Sequence, residues 1–381
     1  MKAKVRQPDL ARAINSAQRA IESKSVSPIF WHLLVEATKT GDLSITASGL
    51  ERTITTSVPA IVLAPGAIAI PAKTISEFTS YLPDTEELLL TFENPKKLVL
   101  HVTCSRSHVD IKGIDSKDFI LHEMTTTGAD VVINIPARDL ADGLQQLLPS
   151  VALKADFNAV LGGVHFDLSD EGLNLCACDS FRLARRLFTV PPLGKNCTAT
   201  VPGHIASDII KLATDKGNCQ IAFFLGRQLL RFWIGDSVIT SNTLHGLFPD
   251  YRAFLSRLEG HTRITVDSAE LIQAARLAFA VCHGMNNAIE TFFSDGEIHL
   301  KAQSDFGESH ASVACEGNGN DAHYTVNGAY LIEAIEAAKA EKLVIGIGAP
   351  TDPMIFRNDE KGFIQLVMLM GGASSREEGD E

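Results

Sequence analysis

Apolar positions at helical spacing recur in six stretches of the chain. Residues 9–21 carry Leu10, Ala13, Ile14, Ala17 and Ile21 at three- and four-residue steps, with Arg12 and Arg19 on the other side. Residues 72–82 do the same with Ile75, Phe78 and Leu82, and residues 137–148 with Leu140, Leu144 and Leu147. Ile205, Ile209 and Leu212 mark a fourth helix, Leu271, Ala274, Ala275 and Ala278 a fifth, and Leu331, Ala334, Ile335 and Ala338 a sixth. Between them the pattern shortens to alternating runs that predict strands, among them Leu43–Ala47, Thr53–Val58, Val164–Leu168, Leu173–Ala177, Leu183–Val190, Leu343–Ile347, Met354–Arg357 and Gly362–Leu369. Turn signals such as Asp170-Glu171-Gly172, Gly235-Asp236 and Asn358-Asp359 separate the runs.

The same phrase introduces every helix: an apolar residue ends an extended run, and a proline or polar residue follows. The copies are Val5-Arg6-Gln7-Pro8-Asp9-Leu10, Ile70-Pro71-Ala72-Lys73-Thr74-Ile75, Ile135-Pro136-Ala137-Arg138-Asp139-Leu140, Val201-Pro202-Gly203-His204, Val266-Asp267-Ser268-Ala269-Glu270-Leu271 and Val326-Asn327-Gly328-Ala329-Tyr330-Leu331. Their spacings are 65, 65, 66, 65 and 60 residues. A period this long is a whole supersecondary unit, here a helix with about four antiparallel strands, rather than a solenoid turn. One such unit buries too little apolar area to stand alone, so the units are expected to pack in pairs. The reading is an α+β chain of three tandem similar domains, at 1–124, 130–255 and 261–370, with polar boundaries near 122–130 and 256–263. Residues 371–381 form a polar, acidic tail whose composition predicts disorder.

Composition narrows the class. With 381 residues the chain exceeds a single core, and 45% apolar with 21% charged residues is an ordinary globular balance. No apolar run reaches about 18 residues, and Met1-Lys2-Ala3-Lys4 lacks a signal peptide's apolar stretch, so a cytoplasmic location is expected. Seven cysteines spread thinly over the chain fit reduced thiols. The formal charge of −12 argues against a conventional high-affinity nucleic-acid binder, which would show a basic footprint, so any DNA contact must be local, weak or topological.

Three segments carry a family resemblance. Cys178-Asp179-Ser180-Phe181-Arg182-Leu183-Ala184 resembles the Thr-Asp-Gly-His-Arg-Leu-Ala segment of bacterial sliding clamps. Leu247-Phe248-Pro249-Asp250-Tyr251-Arg252 is similar to the Phe-Pro-Asp-Tyr-Arg before their third domain, and Val367-Met368-Leu369-Met370 to the Met-Pro-Met that ends them. With the repeat in phase over residues 1–370, the chain resembles the β subunit family of bacterial DNA polymerase III. The resemblance implies a head-to-tail homodimer closing into a ring, with helices lining the pore and a continuous antiparallel sheet outside. Such a processivity factor encircles duplex DNA without sequence preference. It tethers the polymerase catalytic subunit and other clamp-binding proteins, works with a clamp loader, and catalyses nothing. A ring retained by topology needs no strong phosphate attraction, which accommodates the acidic charge.

By the same resemblance, a partner-peptide pocket is expected from Val160, Leu161, Cys178, Ser180, Phe181, Arg182, Leu183, Pro249, Phe254, Tyr330 and residues Leu366, Val367, Met368, Leu369 and Met370. An apolar floor with Met and Leu, and an Arg at the rim, suits a peptide groove, although Leu183, Leu366 and Val367 also read as plain strand core. DNA-facing candidates are Arg6, Arg12, Arg19, Lys24 and Lys154. The first helix segment, residues 6–21, sums to +2, whereas the other five helix segments sum to zero or −1, so the expected lining is near neutral. The dimer interface is expected to join Thr74, Phe78, Arg106, His108, Val109 and Ile111 to Ala280, Val281, Asp305 and Glu308 of a second copy.

The chain departs from the family pattern at Ser180, Phe181, Ala253 and Leu369, where Gly, His, Arg and Pro are usual, and it continues past Met370. These departures admit a divergent or accessory clamp serving a specialised polymerase or a mobile-element replication system. An enzyme on the same repeated fold, using Cys178-Asp179 and a nearby His, is the remaining reading. Cys176-Ala177-Cys178 has no second pair at zinc spacing, and Gly346-Ile347-Gly348 lacks a third glycine and a following helix. No metal and no cofactor is expected.

Overall fold

A computed structural model describes residues 1–21, 27–84, 86–119, 127–153, 158–213, 217–258, 261–284, 286–294, 296–317, 322–349 and 351–370. Among them are helices α1 (Gln7–Ala17), α2 (Ala72–Ser80), α3 (Ala137–Leu147), α4 (Gly203–Ala213), α5 (Tyr251–Ser256), α6 (Ser268–Cys282) and α7 (Gly328–Ala338). All but α5 stand at the six repeats. The first four repeats start their helices with proline: Pro8 lies in the first turn of α1, Pro71 caps α2, and Pro136 and Pro202 immediately precede α3 and α4. The last two use a side-chain cap instead. Asp267 accepts from the N–H groups of Ala269 and Glu270 at 2.9 and 3.0 Å, and Asn327 from those of Ala329 and Tyr330 at 3.0 and 3.4 Å.

The chain divides into two compact units, residues 1–141 with 207–243, and residues 142–206 with 244 onward. The first unit holds two antiparallel sheets. One runs in the order Ile61–Ala64, Lys2–Arg6, Glu87–Thr91, Val99–Cys104, Ser107–Lys112. The other runs Val131–Pro136, Asn218–Phe224, Leu229–Ile234, Ser237–Asn242, Arg52–Pro59, Asp42–Ser48, His32–Ala37, Gly66–Pro71. The second unit holds one twelve-stranded sheet. Its order is Cys197–Pro202, Gly163–Ser169, Gly172–Cys178, Arg182–Phe188, Phe363–Val367, Met354–Asn358, Lys342–Ile347, Thr262–Asp267, Gly307–Glu316, Glu297–Ser304, Ala288–Ser294, Ala322–Asn327.

The repeats pair because they exchange strands. Lys2–Arg6 leads into α1 but pairs with Glu87–Thr91 of the second repeat, while Gly66–Pro71 leads into α2 and pairs with His32–Ala37 of the first. Thr262–Asp267 and Ala322–Asn327 make the same trade before α6 and α7, pairing with Lys342–Ile347 and Ala288–Ser294. Each repeat therefore lacks its fourth strand until a neighbour supplies it. Apolar helix faces then close onto the sheets, as with the fully buried Leu10, Ala13, Ile14 and Ala17 of α1 and Leu271, Ala275 and Ala278 of α6. At the turn before Gly172–Cys178, Gly172 has φ +125, and a Cβ there would stand 2.3 Å from the Phe188 carbonyl oxygen. Among the described residues no helix is long and apolar enough to cross a membrane.

Candidate functional site

The hairpin of Gly172–Cys178 and Arg182–Phe188 turns through Asp179-Ser180-Phe181. The Asp179 carboxylate accepts from the N–H groups of Phe181 and Arg182, each at 3.1 Å, and Ser180 takes φ +76. That left-handed backbone favours glycine, so serine is held there under strain. The pairing continues from Cys178 to Leu183 and from Leu183 to Leu366, which brings three segments side by side.

The segment after residue 247 folds over them as α5. Asp250 caps it by accepting from the Ala253 N–H at 3.1 Å. The Tyr251 hydroxyl donates to Asp167 Oδ2 at 2.5 Å, and Arg252 Nε donates to the same oxygen at 3.1 Å. Phe248 stacks on His165 with centroids 4.4 Å apart, and burial pushes the His165 imidazole down to about 4, leaving it neutral. The Pro-Asp-Tyr-Arg motif is thus an anchor for the linker.

Beneath it Leu161, Cys178, Ser180, Arg182, Leu183, Pro249, Phe254, Leu366 and Met368 line a cavity of about 300 Å³. The remaining pocket candidates do not line it. Val160 and Val367 are buried, Leu369 and Met370 half-buried, Phe181 exposed, and Tyr330 lies under the Arg182 guanidinium at 4.2 Å. Arg182 is not a free rim charge. It donates to Asp179 Oδ2 at 2.9 Å and also engages Glu333 and the Pro149 carbonyl. Burial, with Asp179 adjacent, pushes the Cys178 thiol up to about 12, which removes the thiolate that a nucleophile role needs. Among the described residues no group of three or more His, Cys, Asp or Glu side chains could hold a metal ion.

The arginines of the first repeat are compensated. Arg6 meets Asp9 at 2.8 Å, Arg12 pairs with Asp9 and Asp236, and Arg19 lies 3.9 Å from Asp208. The pairing holds the Asp9 carboxyl below its usual range, the Arg6 hydrogen bond being the largest cause. Lys24 and Lys154 lie outside the described residues.

The interface candidates fall at two strand edges. Ser107–Lys112 ends its sheet, and among the described residues no strand pairs with its outer side. Arg106 and His108 are exposed there and Val109 half-buried, with Thr74 exposed and Phe78 half-buried on α2. Ile111, on the same strand face as Val109, is buried at 3% exposure. In the second unit, Gly307–Glu316 pairs along residues 307–314 with Glu297–Ser304, but meets Thr262–Asp267 only at Thr265 and Val266. Ala280, Asp305 and Glu308 are exposed and Val281 half-buried, Glu308 pairing with Lys301 at 3.1 Å. Two residues that sequence reasoning missed accompany them: Leu277, 56% exposed and one turn before Val281, and Phe306, 88% exposed beside Asp305. A leucine on the polar side of a helix and a phenylalanine in a hairpin turn were the available signals.

Comparison with known proteins bears on the whole chain. The profiles of the DNA polymerase III beta subunit match residues 1–122 with its N-terminal domain, 134–250 with its central domain and 258–371 with its C-terminal domain. The chain belongs to the DNA polymerase III beta subunit family. The beta sliding clamp of Synechococcus elongatus is 26% identical over 362 residues, covering 93% of this chain and 95% of that one. The beta sliding clamp of Staphylococcus aureus is 23% identical over 368 residues, with the same coverage. In fold, the DNA polymerase III subunit beta of Pseudomonas aeruginosa superposes with a TM-score of 0.87 at 21% identity, over 97% of this chain and all of that one. The chain therefore carries the family's fold with Ser180 and Phe181 at the turn beside its cavity.

Proposed function

We propose that the chain acts as a DNA sliding clamp. Two copies close head to tail into a ring around duplex DNA, and the ring tethers a DNA polymerase and other proteins that carry short clamp-binding motifs. Three domains, 1–124, 130–255 and 261–370, form each half. A clamp loader opens and closes the ring in the cytoplasm. The pair of half-paired strands carries this reading most: among the described residues, the outer backbone edges at 107–112 and 307–314 have no strand partner, and each is flanked by exposed or half-exposed apolar side chains. Two copies offer each edge a partner, and the ring has two identical joints.

The chain holds rather than catalyses. Its helix segments are near neutral and Arg6 and Arg12 are compensated, which suits sliding better than tight phosphate binding. The pocket candidates gathered around Leu183 are the docking site for partner peptides.

Loading on circular DNA tests the reading. With a clamp loader, the protein is expected to stay on a nicked circle through a salt wash and to leave once the circle is cut. Double replacement Phe78→Glu and Val109→Glu is expected to give monomer by light scattering and no retention. Salt-resistant binding to a short open duplex, or retention by the monomeric variant, overturns it.

A further inference from the structure

The chain crosses the same kind of row three times. The Ile114 N–H donates to the Ala69 carbonyl, the Leu244 N–H to that of Thr200 and the Met370 N–H to that of Thr325, each at 2.8 Å. Ala69, Thr200 and Thr325 lie directly opposite Leu34, His165 and Glu290. These in turn lie opposite Thr46, Cys176 and Lys301. Residues opposite one another share a sheet face, so the three rows are equivalent by the internal repeat.

The first two rows are covered by the chain that follows. Phe119, shortly after Ile114, packs with Leu34 and Ala69. Phe248, shortly after Leu244, stacks on His165, and Tyr251 packs with Cys176. Leu34 and Thr46 are accordingly 2% and 3% exposed, and His165 and Cys176 9% and 0%. In the third row Glu290 is exposed and Lys301 half-buried. With Ala288, Gln303, Asp305 and Thr325 they line a cavity of about 630 Å³.

Charge and reach say what suits it. Lys301 is engaged by Glu308 at 3.1 Å, and Glu290 lies 3.8 Å from His323 Nε2. Glu290 and Asp305 therefore leave a surplus of negative charge at the cavity, which a cation complements. The chain runs on from Met370 as Gly371-Gly372-Ala373-Ser374-Ser375-Arg376, one cation and no anion, before Glu377, Glu378, Asp380 and Glu381. Ser374 and Ser375 stand at the step after the bonded residue that Phe248 and Phe119 occupy in the other rows. Six residues reach up to about 20 Å, and neighbouring strands are only about 5 Å apart.

We propose that residues 371–376 dock in this cavity, with Arg376 against Glu290 and Asp305. The same two carboxylates repel the acidic residues that follow, which point to solvent. The third row is then covered as the first two are, through polar contacts where they use aromatic rings. Docking also fastens the segment that supplies Leu366 and Met368 to the peptide cavity.

Tryptic cleavage after Arg376, read by mass spectrometry on the full chain, tests this against the free peptide of residues 371–381. Cutting of a docked segment follows the fraction of time it is released, so the parent is expected to be cut at least about tenfold more slowly than the peptide. Glu290→Lys, which opposes Arg376, and Ala288→Trp, which fills the cavity, are expected to bring the rate within about twofold of the peptide's. Glu290 is exposed and Ala288 half-buried, so both variants should melt with the parent, which calorimetry checks. A parent cut as fast as the free peptide overturns the docking. Protection that neither variant relieves overturns it too, by placing the segment elsewhere. Relief by Ala288→Trp alone keeps the cavity as the docking site and overturns the pairing of Arg376 with Glu290.

Discussion

The cavity around Leu183 and the arginine face of α1 differ in how their side chains meet their surroundings. The cavity wall is assembled by backbone pairing: Cys178 opposite Leu183, Leu183 opposite Leu366, with α5 clamped above through Asp167 and Tyr251. Its residues stand where the strands place them, and their apolar chemistry is available to a ligand. Around α1, Arg6 just before the helix, Arg12 on it and Arg19 just after it reach toward carboxylates at Asp9, Asp236 and Asp208. Their charge is largely cancelled locally. A short apolar side chain on a paired strand keeps the role its position implies. A long charged one takes the role of whatever it reaches.

The strongest way to break this contrast is Met368→Asp. Met368 lines the cavity but is 37% exposed, so the fold should survive a charge there. Affinity for a Leu/Phe-bearing peptide is expected to fall about 100-fold, since an unpaired carboxylate would face an apolar ligand. Calorimetry checks the affinity and light scattering the unchanged mass. Undiminished binding would move the docking site elsewhere.

Ser180→Gly sharpens the picture of a strained turn at the rim. Relief of the left-handed backbone, offset by glycine's greater freedom when unfolded, is expected to stabilise the protein by about 0.5–1 kcal/mol. A urea titration reads this as a higher midpoint with an unchanged slope. An unchanged or lower midpoint would mean that the turn tolerates serine at φ +76 without cost.

The smallest effect is expected from Arg12→Ala. Because Arg12 already pairs with Asp9 and Asp236, its loss should change affinity for a short duplex by less than about twofold at low salt. A tenfold loss by polarisation, with a shallower salt dependence, would show that DNA draws the guanidinium away from both carboxylates.

The six repeat helices were legible because a 3.6-residue period over ten or so positions is a local signal. Helix α5 was not, since six residues have no period and its hold comes from Asp250 at its own end and Asp167 far away in sequence. Strand exchange was equally hidden: nothing in Lys2–Arg6 announces a partner at Glu87–Thr91. At the site, the contiguous motifs contain Cys178, Ser180, Arg182, Leu183, Pro249 and Met368 of the cavity lining, whereas Leu161, Phe254 and Leu366 lie outside them. The motifs did not reveal what occupies Arg182, because Glu333 is 151 residues away and Pro149 is 33.

Two joins in the sheets are backbone ladders, Arg52–Thr56 against Ser237–Ser241 and Arg182–Arg186 against Phe363–Val367, with the Thr56 and Ser237 hydroxyls also bonded across the first at 2.9 Å. A main-chain ladder recognises extended conformation and is indifferent to which side chains ride on it. A seam of interlocking side chains binds its two halves into a shared history, because a change on one side calls for an answering change on the other. A ladder by itself imposes no such coupling, so side chains that point to solvent beside these joins, including the rim where Arg182 leads into its strand, can differ without disturbing the hydrogen bonds that hold the strands together.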